Sequence, residues 1–420
     1  MIQRYTLTNG IRLVYEELPF LRSVSLGVWI GTGSRDEDPH QSGISHFLEH
    51  MFFKGTTSKT AKQLAELFDQ VGGQVNAYTT KEYTSLNAKV LDEHVELAFS
   101  LLAEMIWEST FAEEEMEREK QVIVEEIKMY EDNPEEAVHD WVVERSYAGH
   151  PLGINILGSE ASLLKITRTD LIAYMKKGYT PDNMVIAVAG RIDGEKILAL
   201  VESMFGQARG KRDELKQSLP AFTPVKVFDP RPIEQAHVCL AVPGFSYTDA
   251  RMYALALINH SLGASSSSLL FQEVRENRGL AYNVFSYHTP FRDSGLFTIY
   301  YGCSPDRADE VYQLTEEMIR HLRVRGIDVT DLNKAKMQMI SSFWLNHENT
   351  SSRIGRMAKN ELYFGRQLEL DEAVAALQSV TPADVKFVLE ELFRSPLAVV
   401  ALGPYGTNIE GGMQGENTDG

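Results

Sequence analysis

The chain has 420 residues, and 59 Asp and Glu against 41 Lys and Arg give it a formal net charge of −18. A surface this acidic repels polyphosphates and anionic lipid headgroups, which argues against nucleic acid and membrane partners and leaves basic or neutral ligands open. With 43% hydrophobic and 10% aromatic residues, the composition excludes a disordered chain, and the length suggests two or three domains.

The first residues, Met1 to Thr6, followed by Thr8-Asn9-Gly10, read as strand and turn, with no charged region leading into an apolar signal. Alternating apolar residues predict strands at Ile11 to Tyr15 and Ser23 to Ile30, with Asn9-Gly10 at a tight turn, so the chain is expected to open as a β-meander. Helical periodicity follows over 44–53, 61–71, 91–107 and 112–130, and a strand over 184–189. A polar, Lys-rich stretch over 206–234, with Pro220, Pro224, Pro230 and Pro232, reads as a linker. No window approaches 18 uninterrupted apolar residues, so no membrane span is expected. Cys239 and Cys303 are the only cysteines, which points to a reduced, cytoplasmic compartment.

The linker sits near mid-chain, and the halves on either side of it are related. Ala103-Glu104-Met105-Ile106 matches Glu316-Glu317-Met318-Ile319, and Ser146-Tyr147-Ala148-Gly149 matches Leu362-Tyr363-Phe364-Gly365, at offsets of 213 and 216 residues. The order of predicted elements is also shared. The expected fold is therefore α+β: two homologous domains, each a mainly antiparallel β-sheet covered by α-helices. The expected boundaries are 1–205, a linker over 206–234, 235–409, and a disordered Gly-rich tail over 410–420.

The segment richest in chemistry is Gly43-Ile44-Ser45-His46-Phe47-Leu48-Glu49-His50-Met51. Residues four apart on a helix share one face, so His46 and His50 can offer imidazole nitrogens to a single metal ion. Glu49 lies beside them, where its carboxylate can take a proton from a metal-bound water, the general-base role in the inverted zinc motif H-x-x-E-H. A chance match to this pattern is expected about 0.04 times in a chain of this composition. The alternative is an ordinary pair of helix histidines beside a solvated Glu.

Zinc hydrolases usually need a third protein ligand, and the helix around Glu117 to Ile127 supplies the candidate. Glu119, Val122, Ile123, Glu126, Met129 and Tyr130 fall on one stripe, so an apolar face is expected to carry Glu119 and Glu126 inward while Glu125 points away. A carboxylate on such a face is costly unless paired or metal-bound, which makes Glu126 a candidate third ligand and Glu119 a candidate supporting acid. Glu113, Glu114, Glu115 and Glu117 read as a solvated acidic run. At an offset of 208 the counterparts of His46, Glu49 and His50 are Ala254, Leu257 and Ile258, and at 216 those of Glu119 and Glu126 are Ala335 and Ser342. All five chemical positions are absent from the second half together, as expected if they act together in the first.

On these residues the chain resembles the pitrilysin-type, or inverzincin, zinc metallopeptidases. The resemblance is nearest to the subunits related to mitochondrial processing peptidase and their bacterial relatives. It covers nearly all 420 residues and includes the run from Gly43 to Thr56 and the spacing of 76 from His50 to Glu126. It implies that His46, His50 and Glu126 hold one zinc ion per chain, that Glu49 is the general base and that Glu119 supports the ligands. It also implies that Asn76, Ala77 and Tyr78, within Gly73 to Thr80, line a strand edge that pairs with an extended substrate. From the residues alone, Phe271 to Tyr282 reads as a helix end capped by Gly279, whereas the resemblance makes Arg275 and Tyr282 a pair that stabilises the oxyanion.

In single-chain relatives that pair comes from the far end of a chain about twice this length, so a chain with two repeats needs a partner subunit to bring the pair to the zinc. Because this sequence carries both the zinc set and the pair, the resemblance implies a homodimer with composite active sites. The implied function is endopeptidase hydrolysis of extended peptides or unfolded segments, with zinc-bound water as nucleophile. The alternative is a non-catalytic assembly or scaffold subunit of the same family, a class that typically loses the zinc residues. The subunit lacking catalysis in such enzymes carries a Gly-rich loop, and Gly263-Ala264-Ser265-Ser266-Ser267-Ser268 departs from it.

Overall fold

The computed structural model describes residues 1–212 and 218–404, so the expected tail over 410–420 lies outside the described residues. The first stretch of chain forms β1 (Gln3–Thr6), β2 (Arg12–Glu17), β3 (Ser23–Ile30), α1 (Ile44–Met51), α2 (Ala61–Gln70), β4 (Gln74–Thr79), β5 (Thr84–Leu91), α3 (Val95–Trp107) and α4 (Glu113–Glu131). It continues through α5 (Pro134–Ser146), α6 (Glu160–Leu163), α7 (Arg168–Gly178), β6 (Met184–Gly190) and α8 (Gly194–Phe205). Next come β7 (Lys226–Asp229), β8 (Ala236–Pro243), α9 (Met252–Leu262), β9 (Ala281–Pro290) and β10 (Gly295–Cys303). The chain closes with α10 (Ala308–Arg325), α11 (Val329–His347), α12 (Thr350–Phe364), α13 (Leu370–Ser379), α14 (Pro382–Leu392) and β11 (Ala398–Leu402).

These elements build an α+β architecture with two sheets, one in each of two compact units. The first unit comprises Met1–Lys128, Ile154–Gln217 and Trp344–Leu368, and the second Met129–Gly153, Ser218–Phe343 and Glu369–Gly420. The units are thus not the contiguous spans 1–205 and 235–409: α5 joins the second unit and α12 the first. The stretch over 206–234 is also more than a tether, since β7 within it pairs in parallel with β11.

In the first unit the strand order is β1-β2-β6-β3-β5-β4. The turn at Asn9-Gly10 forms as expected, with β1 and β2 antiparallel and Gly10 at φ 101. The β-meander does not form. Strand β6, from much later in the chain, lies between β2 and β3, parallel to the first and antiparallel to the second. Local alternation marks strands but carries no information about a partner 170 residues away. On one sheet face Leu13, Leu26, Val28, Ile186 and Val188 bury against α1, α3 and α8. The other face buries Val14, Trp29, Val185 and Ala187 against Ile354, Met357 and Ala358 of α12.

The second unit has the order β7-β11-β8-β10-β9. Val238, Leu240 and Ile299 pack on α9, α10 and α14. The opposite face packs Cys239, Ala241, Tyr300 and Val400 on Val138 and Val142 of α5. Both cysteine thiols are free and buried. Among the described residues, no helix is long and apolar enough to cross a membrane.

Candidate metal centre

Helix α1 starts where only glycine fits. Gly43 has φ 91, and a Cβ there would meet the Leu157 carbonyl oxygen at 2.5 Å. Gly43 gives the helix no side-chain cap, so its first N–H groups need another acceptor. The buried Glu37 provides it: its Oε2 accepts from Gly43 N at 2.8 Å and its Oε1 from Ser45 N at 2.9 Å. Burial pushes the Glu37 carboxyl up to about 8, against the pull of its hydrogen bonds to Ser45 and Gly43.

One turn on, His46 and His50 meet with their Nε2 atoms 3.2 Å apart. From α4, Glu126 Oε2 comes to 3.8 Å from His46 Nε2 and 3.6 Å from His50 Nε2. All three donor atoms lie within 4.8 Å of one another, the one such cluster of His, Cys, Asp and Glu among the described residues. Two nitrogens bound to one tetrahedral zinc at about 2.0–2.1 Å stand roughly 3.3 Å apart, so the separation of the imidazole nitrogens already suits a shared ion. The donor set of two imidazoles and a carboxylate is one that zinc accepts, and the residues fit the ion.

The protonation states favour ligation. Glu119, buried on α4, accepts from His50 Nδ1 at 2.7 Å and pairs with Lys54 Nζ at 2.6 Å. Burial alone would raise the Glu119 carboxyl, but the hydrogen bonds from His50 and Lys54 outweigh it and hold the group below its ordinary value. An ionised Glu119 accepts a hydrogen bond from His50 Nδ1–H, which keeps the proton on Nδ1 and leaves the lone pair on Nε2 facing the cluster. Burial, then the neighbouring His50, pushes His46 down to about 3, so this imidazole is neutral at physiological pH. His46 Nδ1 is buried without a hydrogen-bond partner. Burial also raises the carboxyls of Glu126 and Glu49. For Glu49 that rise prevails although Thr79 donates its hydroxyl to Glu49 Oε2 at 2.6 Å.

The α4 stripe splits in two. Glu119, Ile123 and Ile127 are buried, while Val122 and Met129 are 52% and 64% exposed on the face that carries Glu126. A helix advances about 100° per residue, so Glu119 and Glu126, about 20° apart, mark one line, with Ile123 and Ile127 turned to one side of it toward the core and Val122 and Met129 to the other. Glu125 points outward as expected, paired with Lys128 at 2.8 Å.

Asn76, Ala77 and Tyr78 lie on β4, the edge strand of the first sheet, with Asn76 exposed, Ala77 buried and Tyr78 half-buried. Arg275 and Tyr282 belong to the second unit, which has no metal cluster among its described residues. They contact each other: Arg275 Nη1 donates to the Tyr282 carbonyl at 3.1 Å, and its guanidinium lies 4.4 Å from the Tyr282 ring. Arg275 stands in a π-helical turn, Phe271–Asn277, which ends before Gly279 at φ 59. Tyr282 is 71% exposed.

Three residues at the centre had no role in the sequence reading: Glu37, Lys54 and Thr79. Lys54 and Thr79 fall inside the runs that carried the resemblance. Glu37 caps a helix from outside its local turn, and periodicity has no signal for that.

The family described as "Insulinase (Peptidase family M16)" matches residues 12–160, and "Peptidase M16 inactive domain" matches residues 165–339. The zinc protease YmxG of Bacillus subtilis is 46% identical over 408 residues, covering 97% of this chain and 99% of its own. The chain belongs to peptidase family M16. A zinc protease of Streptomyces coelicolor is 37% identical, over 96% of this chain and 90% of its own. A protease from Helicobacter pylori has the same fold, with a TM-score of 0.89 at 23% identity over 96% of this chain and 99% of its own. The match named for an inactive domain begins after the last member of the metal cluster, Glu126.

Proposed function

We propose that the protein is a zinc-dependent endopeptidase that cuts extended peptides or unfolded segments. The observation that carries this reading is the convergence of His46 Nε2, His50 Nε2 and Glu126 Oε2, with the Glu49 carboxylate beside them on the same helix. His46, His50 and Glu126 would hold one zinc ion per chain. When bound, zinc supplies Lewis acidity, which makes water nucleophilic near neutral pH and polarises the scissile carbonyl. Glu49 accepts the water proton on its carboxylate and returns it to the leaving amine nitrogen; a carboxyl raised by burial is suited to both transfers. Glu119 orients His50 through Nδ1. The free edge of β4 at Asn76, Ala77 and Tyr78 pairs with the substrate backbone as an added strand.

Cleavage of a quenched fluorescent peptide, with and without a chelator, tests the activity. Chelator-sensitive cleavage is expected, and Glu49→Gln should lose a factor of about 10²–10⁴ in kcat while retaining zinc by metal analysis. Full activity in Glu49→Gln would overturn the mechanism, and a wild-type protein that binds zinc but cuts nothing would favour the scaffold reading.

Arg275 and Tyr282 are proposed to stabilise the developing oxyanion from a second copy of the chain, in a homodimer with composite sites. Mixing inactive Glu49→Gln and Tyr282→Phe subunits should then restore part of the activity. No recovery after demonstrated subunit exchange would remove Tyr282 from that role.

A further inference from the structure

We infer that Thr79 is a positioning residue for Glu49, holding the carboxylate of the proposed base in place from the edge strand β4. The inference rests on the peptidase reading and adds to it a residue that the motif does not contain.

The contact is short and comes from a rigid donor. Thr79 Oγ1 donates to Glu49 Oε2 at 2.6 Å, and its main-chain amide also favours the ionised carboxylate. Thr79 is the last residue of β4, in register with Thr84 of β5. The next residue locks the turn: Thr80 Oγ1 donates to the Tyr83 carbonyl at 2.9 Å and accepts from Glu82 N and Tyr83 N at 3.2 and 3.1 Å. Ser34 N adds a bond to the Thr80 carbonyl at 3.1 Å. The donor is thus fixed by strand and turn, independently of the helix that carries the acceptor.

A fixed donor matters because Glu49 has a competing neighbour. The Glu126 carboxylate repels that of Glu49, and a Glu side chain has three torsions with which to respond. The hydroxyl of Thr79 selects one placement among these. Misplacing a reacting group by about 1 Å can cost on the order of 10²-fold in rate, so one hydrogen bond suffices for a kinetic effect. The same strand is the proposed docking edge for substrate, so one element would position both the peptide and the group that moves its proton.

Two substitutions separate positioning from bulk stability. Thr79→Val keeps the size and the amide and removes the hydroxyl; Thr79→Ser restores the hydroxyl. Thr79→Val should lower kcat by about 10- to 100-fold, with KM and the zinc dissociation constant within about twofold of wild type. Thr79→Ser should recover kcat to within about threefold. Wild-type kcat in Thr79→Val, or a loss explained by weaker zinc binding, would overturn the inference.

A readout that needs no catalysis is the double-mutant cycle of Thr79→Val with Glu49→Gln on the urea unfolding midpoint of the metal-free chain. Non-additive shifts are expected, and additive ones would refute the contact. If the cycle shows coupling while the wild type cuts no peptide, the peptidase reading fails and the positioning of Glu49 by Thr79 stands.

Discussion

Glu119 serves two donors at once: one carboxylate oxygen holds His50 Nδ1 and the other Lys54. That double use makes it more than a filler beside the cluster. Glu119→Gln keeps the shape, but its amide can accept from one neighbour only and presents N–H to the other, so the proton on His50 loses its anionic acceptor. Such partners of ligating histidines typically contribute 10- to 100-fold to metal affinity. Zinc affinity of Glu119→Gln, measured by competition with a chelating dye, should fall by about that factor with the fold retained. An unchanged dissociation constant would assign Glu119 to packing alone. That Glu119 would be buried beside a partner was legible in the sequence because a buried acid demands one. Lys54 was not, because a Lys after a helix end looks like solvent-facing charge until Glu119 is placed beside it.

At the scale of elements, what was legible depended on whether the signal was local. The α1 helix has the expected start because Gly43, the histidine spacing and the apolar Phe47, Leu48 and Met51 all lie within it. The α4 helix was found within a residue, but its faces were not, since a stripe drawn through Glu119 and Met129 merges two directions that the helical twist separates. Strand order was the least legible feature. Strand β6 reads as a buried strand from its composition, but nothing near it in sequence says that its neighbours are β2 and β3. Likewise β7, four residues in a Pro-rich stretch, is a strand only because β11 supplies its hydrogen bonds.

At the scale of the whole molecule, the repeated halves suggest two independent domains, and the compact units contradict that independence. Helix α12, from the second half, closes one face of the first sheet with Ile354, Met357 and Ala358, all buried. Helix α5, from the first half, does the same for the second sheet with Val138 and Val142. Burying an Ile or Met side chain contributes about 1.5–3 kcal/mol, so the loss of α12 removes several kcal/mol from the first unit and bares Val14, Val185 and Ala187. Natural domains hold only about 5–15 kcal/mol of net stability, so the loss is decisive. A fragment of residues 1–234 is therefore expected to lack a cooperative urea transition and to aggregate through the uncovered sheet face, as is one of residues 235–420. Co-expression of the two fragments should restore a soluble complex, because each supplies the helix the other lacks. A lone 1–234 fragment that unfolds cooperatively would mean that α12 is dispensable to the first sheet. The metal centre shares this dependence, since α1 packs on the opposite face of that sheet and α12 secures the sheet from behind.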